Sequence, residues 1–152
     1  MQDALLRALL VHRPTLRQRW ETLLRARPAT SPLANPDTLV HLMDWTLDCL
    51  FDELRSAPSR RRAPPRGAPP PCPCGLNPLI AYFQSVEAAA EQTFCNDITD
   101  THRFTGLERE AALEELRFAI KGVARREIES FCAVCLHSHR TNAAMPASCA
   151  RS

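Results

Sequence analysis

The sequence predicts an all-α fold, a four- or five-helix bundle with a proline-rich connector, on three observations. Apolar residues recur at three- and four-residue steps through four long segments. The last three segments open on helix-start signals: Asn35-Pro36, Asn77-Pro78, and Thr105 followed three residues later by Glu108. No stretch alternates polar and apolar residues long enough for a strand. A chain of 152 residues, 45% of them hydrophobic, suffices for one core and not for two. The expected organisation is a single helical domain over residues 1–140, interrupted by an exposed connector at 56–74, with a flexible tail at 141–152.

The first periodic segment runs from about Asp3 to Arg27, carried by Leu5, Leu6, Leu9, Leu10, Leu16, Trp20, Leu23 and Leu24. Pro14 interrupts it; lacking an N–H and clashing with the preceding turn, it kinks the helix or starts a second one near Arg13. A proline-bearing turn follows at 28–34. In the second helix Asn35 accepts exposed amide protons, Pro36 fits the first turn, and Asp37 suits the positive end of the dipole. Its stripe is Leu39, Leu42, Met43, Leu47, Leu50, Phe51 and Leu54.

Residues 56–74, SAPSRRRAPPRGAPPPCPC, hold seven prolines and four arginines and little to bury. They read as an exposed, partly polyproline-like segment. Two roles fit it: a solvated connector between helical hairpins, or a docking segment for a proline-binding or acidic partner. The third helix starts at Asn77-Pro78 and buries Leu79, Ile80, Phe83, Val86, Ala90 and Phe94; it either breaks at Asn96-Asp97 or runs on to His102. Thr105 and Glu108 form a capping box for the fourth, whose stripe is Leu113, Leu116, Ile120, Val123, Ala124, Ile128, Phe131 and Cys135. Gly122 weakens that helix unless a close contact explains it. Trp20 and Trp45 read most simply as core anchors, with lining a pocket between helices as the other role; Cys49 and Cys95 read as core.

Charge narrows the function. Residues 1–66 hold eleven arginines against seven acids, and residues 67–152 hold eight bases against ten acids. A nucleic-acid binder concentrates positive charge far more strongly, so no nucleic acid is expected. No run approaches the roughly 20 apolar residues that span a bilayer, and MQDALLRALLVHR lacks the form of a secretory signal. No membrane association and a cytoplasmic location follow as expectations. Phosphate-loop, nucleophile-elbow, zinc-protease and zinc-deaminase signatures are all missing from the sequence.

Cysteine and histidine supply the chemical candidates. Cys72-Pro-Cys74 precedes the third helix, and Cys132-Ala-Val-Cys135-Leu-His137-Ser-His139 ends the fourth. Antiparallel packing of two helices of nearly equal length, 77–102 and 105–132, brings the two sets together. Zinc favours four such ligands, and the expected set is Cys72, Cys74, Cys132 and Cys135, with His139 or His137 replacing one if the fourth helix continues. Cys132 and Cys135 have structural-zinc spacing; Cys72 and Cys74 do not. Two other readings stay open: a Cys132/Cys135 redox pair, and simple structural thiols.

The stretch from His12 to Leu54, with RQRWETLL and PLANPDTLVHLMDWTLDCLFDEL, resembles the N-terminal sensor domain of RsbR-type stress-signalling co-antagonists. The likeness rests on the Arg19-Trp20 pair and the Ala34-Asn35-Pro36 helix start. It implies an all-helical input or protein-interaction module, usually joined to an output domain. The sequence therefore points to a non-enzymatic regulatory or sensor module that binds a protein partner, with zinc stabilising or switching it. A thiol-dependent redox protein is the alternative. A monomer and a homodimer completing the bundle across a two-fold axis fit equally.

Overall fold

The computed structural model describes residues 2–29, 31–56, 75–102 and 104–135, and all regular structure among these is helical. The first periodic segment divides where Pro14 predicts, into α1 (Gln2–Val11) and α2 (Arg13–Arg25). The joint stays hydrogen-bonded: His12 N–H donates to Ala8 at 3.1 Å, and His12 C=O accepts from Leu16 N–H at 2.9 Å. Pro14 lies in the first turn of α2, where an amide proton would have no helical acceptor.

The second helix follows one path in three pieces. Asn35 accepts from Asp37 N–H at 3.0 Å and opens α3 (Pro36–Leu39). A 3₁₀ turn at Val40–Leu42 leads into α4 (Met43–Arg55). The tighter turn shifts the phase of the stripe: Leu39 and Met43 are buried, whereas Leu42 is 40% exposed.

The third helix does run to His102. It comprises α5 (Pro78–Thr93), a π turn at Phe94–Ile98, and α6 (Thr99–His102). A π turn widens the helix by one residue and loosens its hydrogen bonding. Thr99 compensates by donating its hydroxyl to the carbonyls of Phe94 (3.0 Å) and Cys95 (2.6 Å). The capping box forms as expected: Thr105 N–H donates to the Glu108 carboxylate at 2.9 Å, and Glu108 N–H to Thr105 Oγ1 at 3.4 Å. It starts α7 (Gly106–Val134), 29 residues long.

Named contacts fix the helix directions. Glu53 lies against Gly122, while Trp45 and Thr46 lie beside Glu127, so α4 and α7 are antiparallel. Asn77 meets Ile128 and Cys132, while Glu91 meets Arg117, so α5 and α7 are antiparallel too. The consecutive helices α4 and α5 therefore run parallel. On the far side, α5 packs on α2, and α1 packs on α4.

One apolar cluster extends from Leu5 in α1 to Ile128 in α7. Trp20, Tyr82, Phe51 and Phe94 are its largest buried side chains. The Trp20 and Tyr82 rings meet at 4.7 Å. Buried polar atoms within it are paired, as low polarity demands. Trp20 Nε1 donates to Ser85 Oγ at 3.0 Å, and the Thr46 and Tyr82 hydroxyls bond each other at 2.9 Å. Burial holds the Tyr82 phenol well above its ordinary value, so it stays protonated.

Much of the arginine of the first half serves interhelical seams. Arg13 reaches Asp48 at 2.6 Å and lies over the Phe51 ring, and Arg17 reaches Asp44 at 3.1 Å, tying α2 to α4. Arg19 donates to Thr93 Oγ1 and the Asp97 carboxylate, each at 2.8 Å, holding α2 against the π turn. Gly122 faces Glu53: a Cβ built there lies 3.6 Å from Oε1, an ordinary contact that gives glycine no steric necessity.

Trp45 departs from its simplest reading as a core anchor. It is 50% exposed, because it projects from α4 off the Met43–Leu47–Leu50–Leu54 stripe. Cys49 and Cys95 are half-buried and pack against the margin of the core rather than inside it.

Candidate functional site

Two places on the molecule gather chemistry. The first is an open groove of about 350 Å³ between α4, α5 and the end of α7. Its floor is the buried set Thr46, Tyr82 and Phe83, with the two hydroxyls turned on each other. Its walls are Leu42, Trp45 and Leu79, and Glu127 supplies the carboxylate.

The electrostatics of that carboxylate follow from its neighbours on α7. Arg125 pairs with Glu129 at 2.7 Å, and Arg126 with Glu53 at 2.9 Å. Both adjacent guanidinium groups are thus engaged elsewhere. Among the described residues no hydrogen bond or ion pair engages Glu127 itself. Burial pushes the nearby Cys49 thiol up, and the charge of Glu127 adds to that shift. The groove thus combines apolar walls, one large exposed aromatic and a carboxylate with no ion-pair partner among the described residues.

The second place joins the start of α5 to the end of α7. Asn77 is buried and does two jobs: its side-chain oxygen accepts from Leu79 N–H at 2.9 Å, and its amide approaches Ile128 O at 3.5 Å and Cys132 Sγ at 3.4 Å. The start of α5 and the end of α7 therefore meet, as the matching helix lengths predict. Cys132 lies in the last turn of α7, with Cys135 at its C-cap donating its N–H to the Cys132 carbonyl at 3.4 Å. Cys72, Cys74 and His139 of the expected ligand set, and His137 with them, lie outside the described residues. Among the described residues, no group of three or more His, Cys, Asp or Glu side chains is arranged to hold a metal ion.

Sequence reasoning offered Trp45 as a pocket residue only as a second role and named none of the groove's other walls, although a signal was present. Leu42, Trp45 and Cys49 stand at three- and four-residue steps and form a second apolar stripe beside the core-facing one. A helix with two stripes is apolar on more surface than one core covers. No helix among the described residues is long and apolar enough to cross a membrane. No protein-family model matches the chain, and comparison with curated proteins and with solved structures gives no match.

Proposed function

We propose that this chain is a non-enzymatic regulatory or sensor module that acts by binding a protein, with the Trp45 groove as its contact face. The observation that carries this reading is the exposure of Trp45, 50%, beside Leu42, 40%, over a concave apolar floor. Large aromatics set in such pockets dominate binding energy at protein interfaces, and tryptophan is among the most enriched. A groove of about 350 Å³ lies at the small end of ligand sites and suits one or two partner side chains. The resemblance of residues 12–54 to RsbR-type sensor domains points to the same class of function.

Site-specific photo-crosslinking in cells tests it. A photoreactive side chain at position 45 is expected to capture a defined protein, and Leu42→Arg to abolish that capture. A control at the exposed Glu129 is expected to capture nothing specific. Identical crosslinks from positions 45 and 129 would sink the proposal.

A second reading concerns the α5–α7 junction and is favoured by the Asn77–Cys132 contact. Cys74 stands three residues before Asn77 in the chain, and Asn77 is the residue that meets Cys132. We propose zinc bound by thiolates of these four, or with His139 in place of one, as a clasp across the second hairpin. Metal analysis of protein purified without an affinity tag is expected to find stoichiometric zinc, lost with stability in Cys72→Ser or Cys135→Ser. A metal-free protein whose Cys132–Cys135 disulfide forms and opens reversibly against a glutathione couple would instead favour the thiol-redox alternative.

A further inference from the structure

The groove offers apolar walls beside the Glu127 carboxylate, and α1 carries a face of the converse pattern. Arg7, Leu10 and Val11 stand three and four positions apart, so their side chains share one side of the helix. Leu5, Ala8 and Leu9 take the buried side, which leaves Val11 70% exposed and Leu10 38%. Neighbouring apolar side chains on one turn make a patch, and such patches mark contact sites more often than a lone exposed residue does. The exposed Arg7 donates from Nε to the Asp3 carbonyl at 3.2 Å, and among the described residues no carboxylate pairs with it. Arg13 and Arg17, further along the chain, are taken by Asp48 and Asp44. Both faces flank α4. The joint between α1 and α2 meets α4 at Asp44 and Asp48 through Arg13, whereas the groove opens on the Trp45 and Thr46 flank. Successive helix positions turn by about 100°, so the two flanks look in different directions. A two-fold axis parallel to α4 then sets the α1 face of each copy against the groove of the other.

We propose that the occupant of this groove is a second copy of the chain. Leu10 and Val11 of one protomer seat against Leu42 and Trp45 of its partner, and Arg7 pairs with Glu127 across the interface. The apolar sides match, and each charge finds the opposite sign, since Arg125 and Arg126 beside Glu127 are engaged with Glu129 and Glu53. A guanidinium suits the place in a second way: it stacks on aromatic faces as well as pairing with carboxylates, and Trp45 supplies the ring. One groove of about 350 Å³ accepts only a few side chains, whereas a stable interface buries about 1,600 Å² in total. The two-fold axis answers this by supplying the same contact twice. This inference rests on the groove being a protein-binding face, and it names the protein that fills it.

Sedimentation velocity on the full chain over a range of concentrations tests it. The wild-type chain is expected to pass from monomer to dimer as concentration rises. Arg7→Glu and Glu127→Arg each set like charges against one another at both contacts, and each is expected to weaken the dimer at least tenfold. An equal mixture of the two variants is expected to dimerise again, because every contact in the mixed dimer joins opposite charges. Val11→Asp is expected to weaken the dimer to a similar degree, and circular dichroism checks that all variants keep their helical content. A wild-type chain that stays monomeric throughout overturns the proposal, and crosslinking from position 45 then decides separately whether the groove binds another protein. A dimer that both charge reversals leave intact overturns it as well, and so does a mixture that fails to dimerise. Assemblies that keep growing past the dimer overturn the two-fold arrangement, since a head-to-tail contact that does not close makes filaments.

Discussion

Trp20 Nε1 donates to Ser85 Oγ across the α2–α5 interface at 3.0 Å, and the Ser85 hydroxyl donates in turn to the Tyr82 carbonyl at 2.7 Å. The indole is fully buried, so its N–H has no water to turn to. Ser85→Ala is expected to destabilise the protein by about 1–3 kcal/mol, the cost of leaving a buried donor unpaired. In a Trp20→Phe background the same change is expected to cost much less, because no indole donor remains. Urea unfolding of the four proteins in this cycle gives the coupling directly, and additive effects would exclude the bond as a stabilising element.

Arg19 anchors the π turn from outside. Its guanidinium meets Thr93 Oγ1 and the Asp97 carboxylate, and the ion pair is about one-quarter to one-third exposed. Replacing it by glutamine is expected to cost about 1–2 kcal/mol, less than a fully buried charged bond would. Hydrogen exchange should quicken first at residues 94–102, and an even increase over the whole chain would refute this local role.

Gly122 offers a gain instead. A methyl group there meets Glu53 only at ordinary contact distance, while glycine within a helix forfeits up to about 1 kcal/mol relative to alanine. Gly122→Ala is expected to raise stability by roughly 0.5–1 kcal/mol in thermal or urea unfolding. A loss of stability would mean that Glu53 and its partner Arg126 cannot accommodate the added carbon.

The capping box should respond to acid. Hydrogen bonds from Thr105 backbone N–H, and then from its hydroxyl, hold the Glu108 carboxyl below its ordinary value. A folded-state value below the unfolded one means that unfolding takes up protons. The contribution is therefore complete above the ordinary glutamate value, about 4.3, and is lost as pH falls through the folded one. Amide exchange at the start of α7 is expected to accelerate over that acid window, and Glu108→Gln to remove the pH dependence. A profile identical in wild type and Glu108→Gln would contradict the assignment.

The parts of this fold legible in the sequence were those set by neighbouring residues. Asn35, Asn77 and Thr105 cap helices through hydrogen bonds to residues two or three positions away, so local sequence suffices to read them. The break at Pro14 follows from the missing proton on one nitrogen. The π turn was not legible, because a one-residue excess in the helix exists only relative to partners such as Arg19, 78 positions from Asp97. For Trp45 the simplest reading, a core anchor, failed and the second, a pocket wall, held, because periodicity says which residues share a face and not how much of that face another helix covers. Of the proposed zinc site, the meeting of helix ends was legible from matching lengths, while Cys72, Cys74 and His139 lie outside the described residues.

The parallel course of α4 and α5 has a consequence for how the molecule is put together. Residues 2–56 supply α1 to α4, residues 75–135 supply α5 to α7, and the α2–α5 and α4–α7 faces join the two sets. The joint consists of apolar side chains laid on one another, with Trp20–Ser85, Thr46–Tyr82, Arg19–Asp97 and Glu53–Arg126 as its polar pins. The chain is in effect a heterodimer written on one polypeptide. Split inside the connector and produced as two fragments, it is expected to reassemble through those same faces.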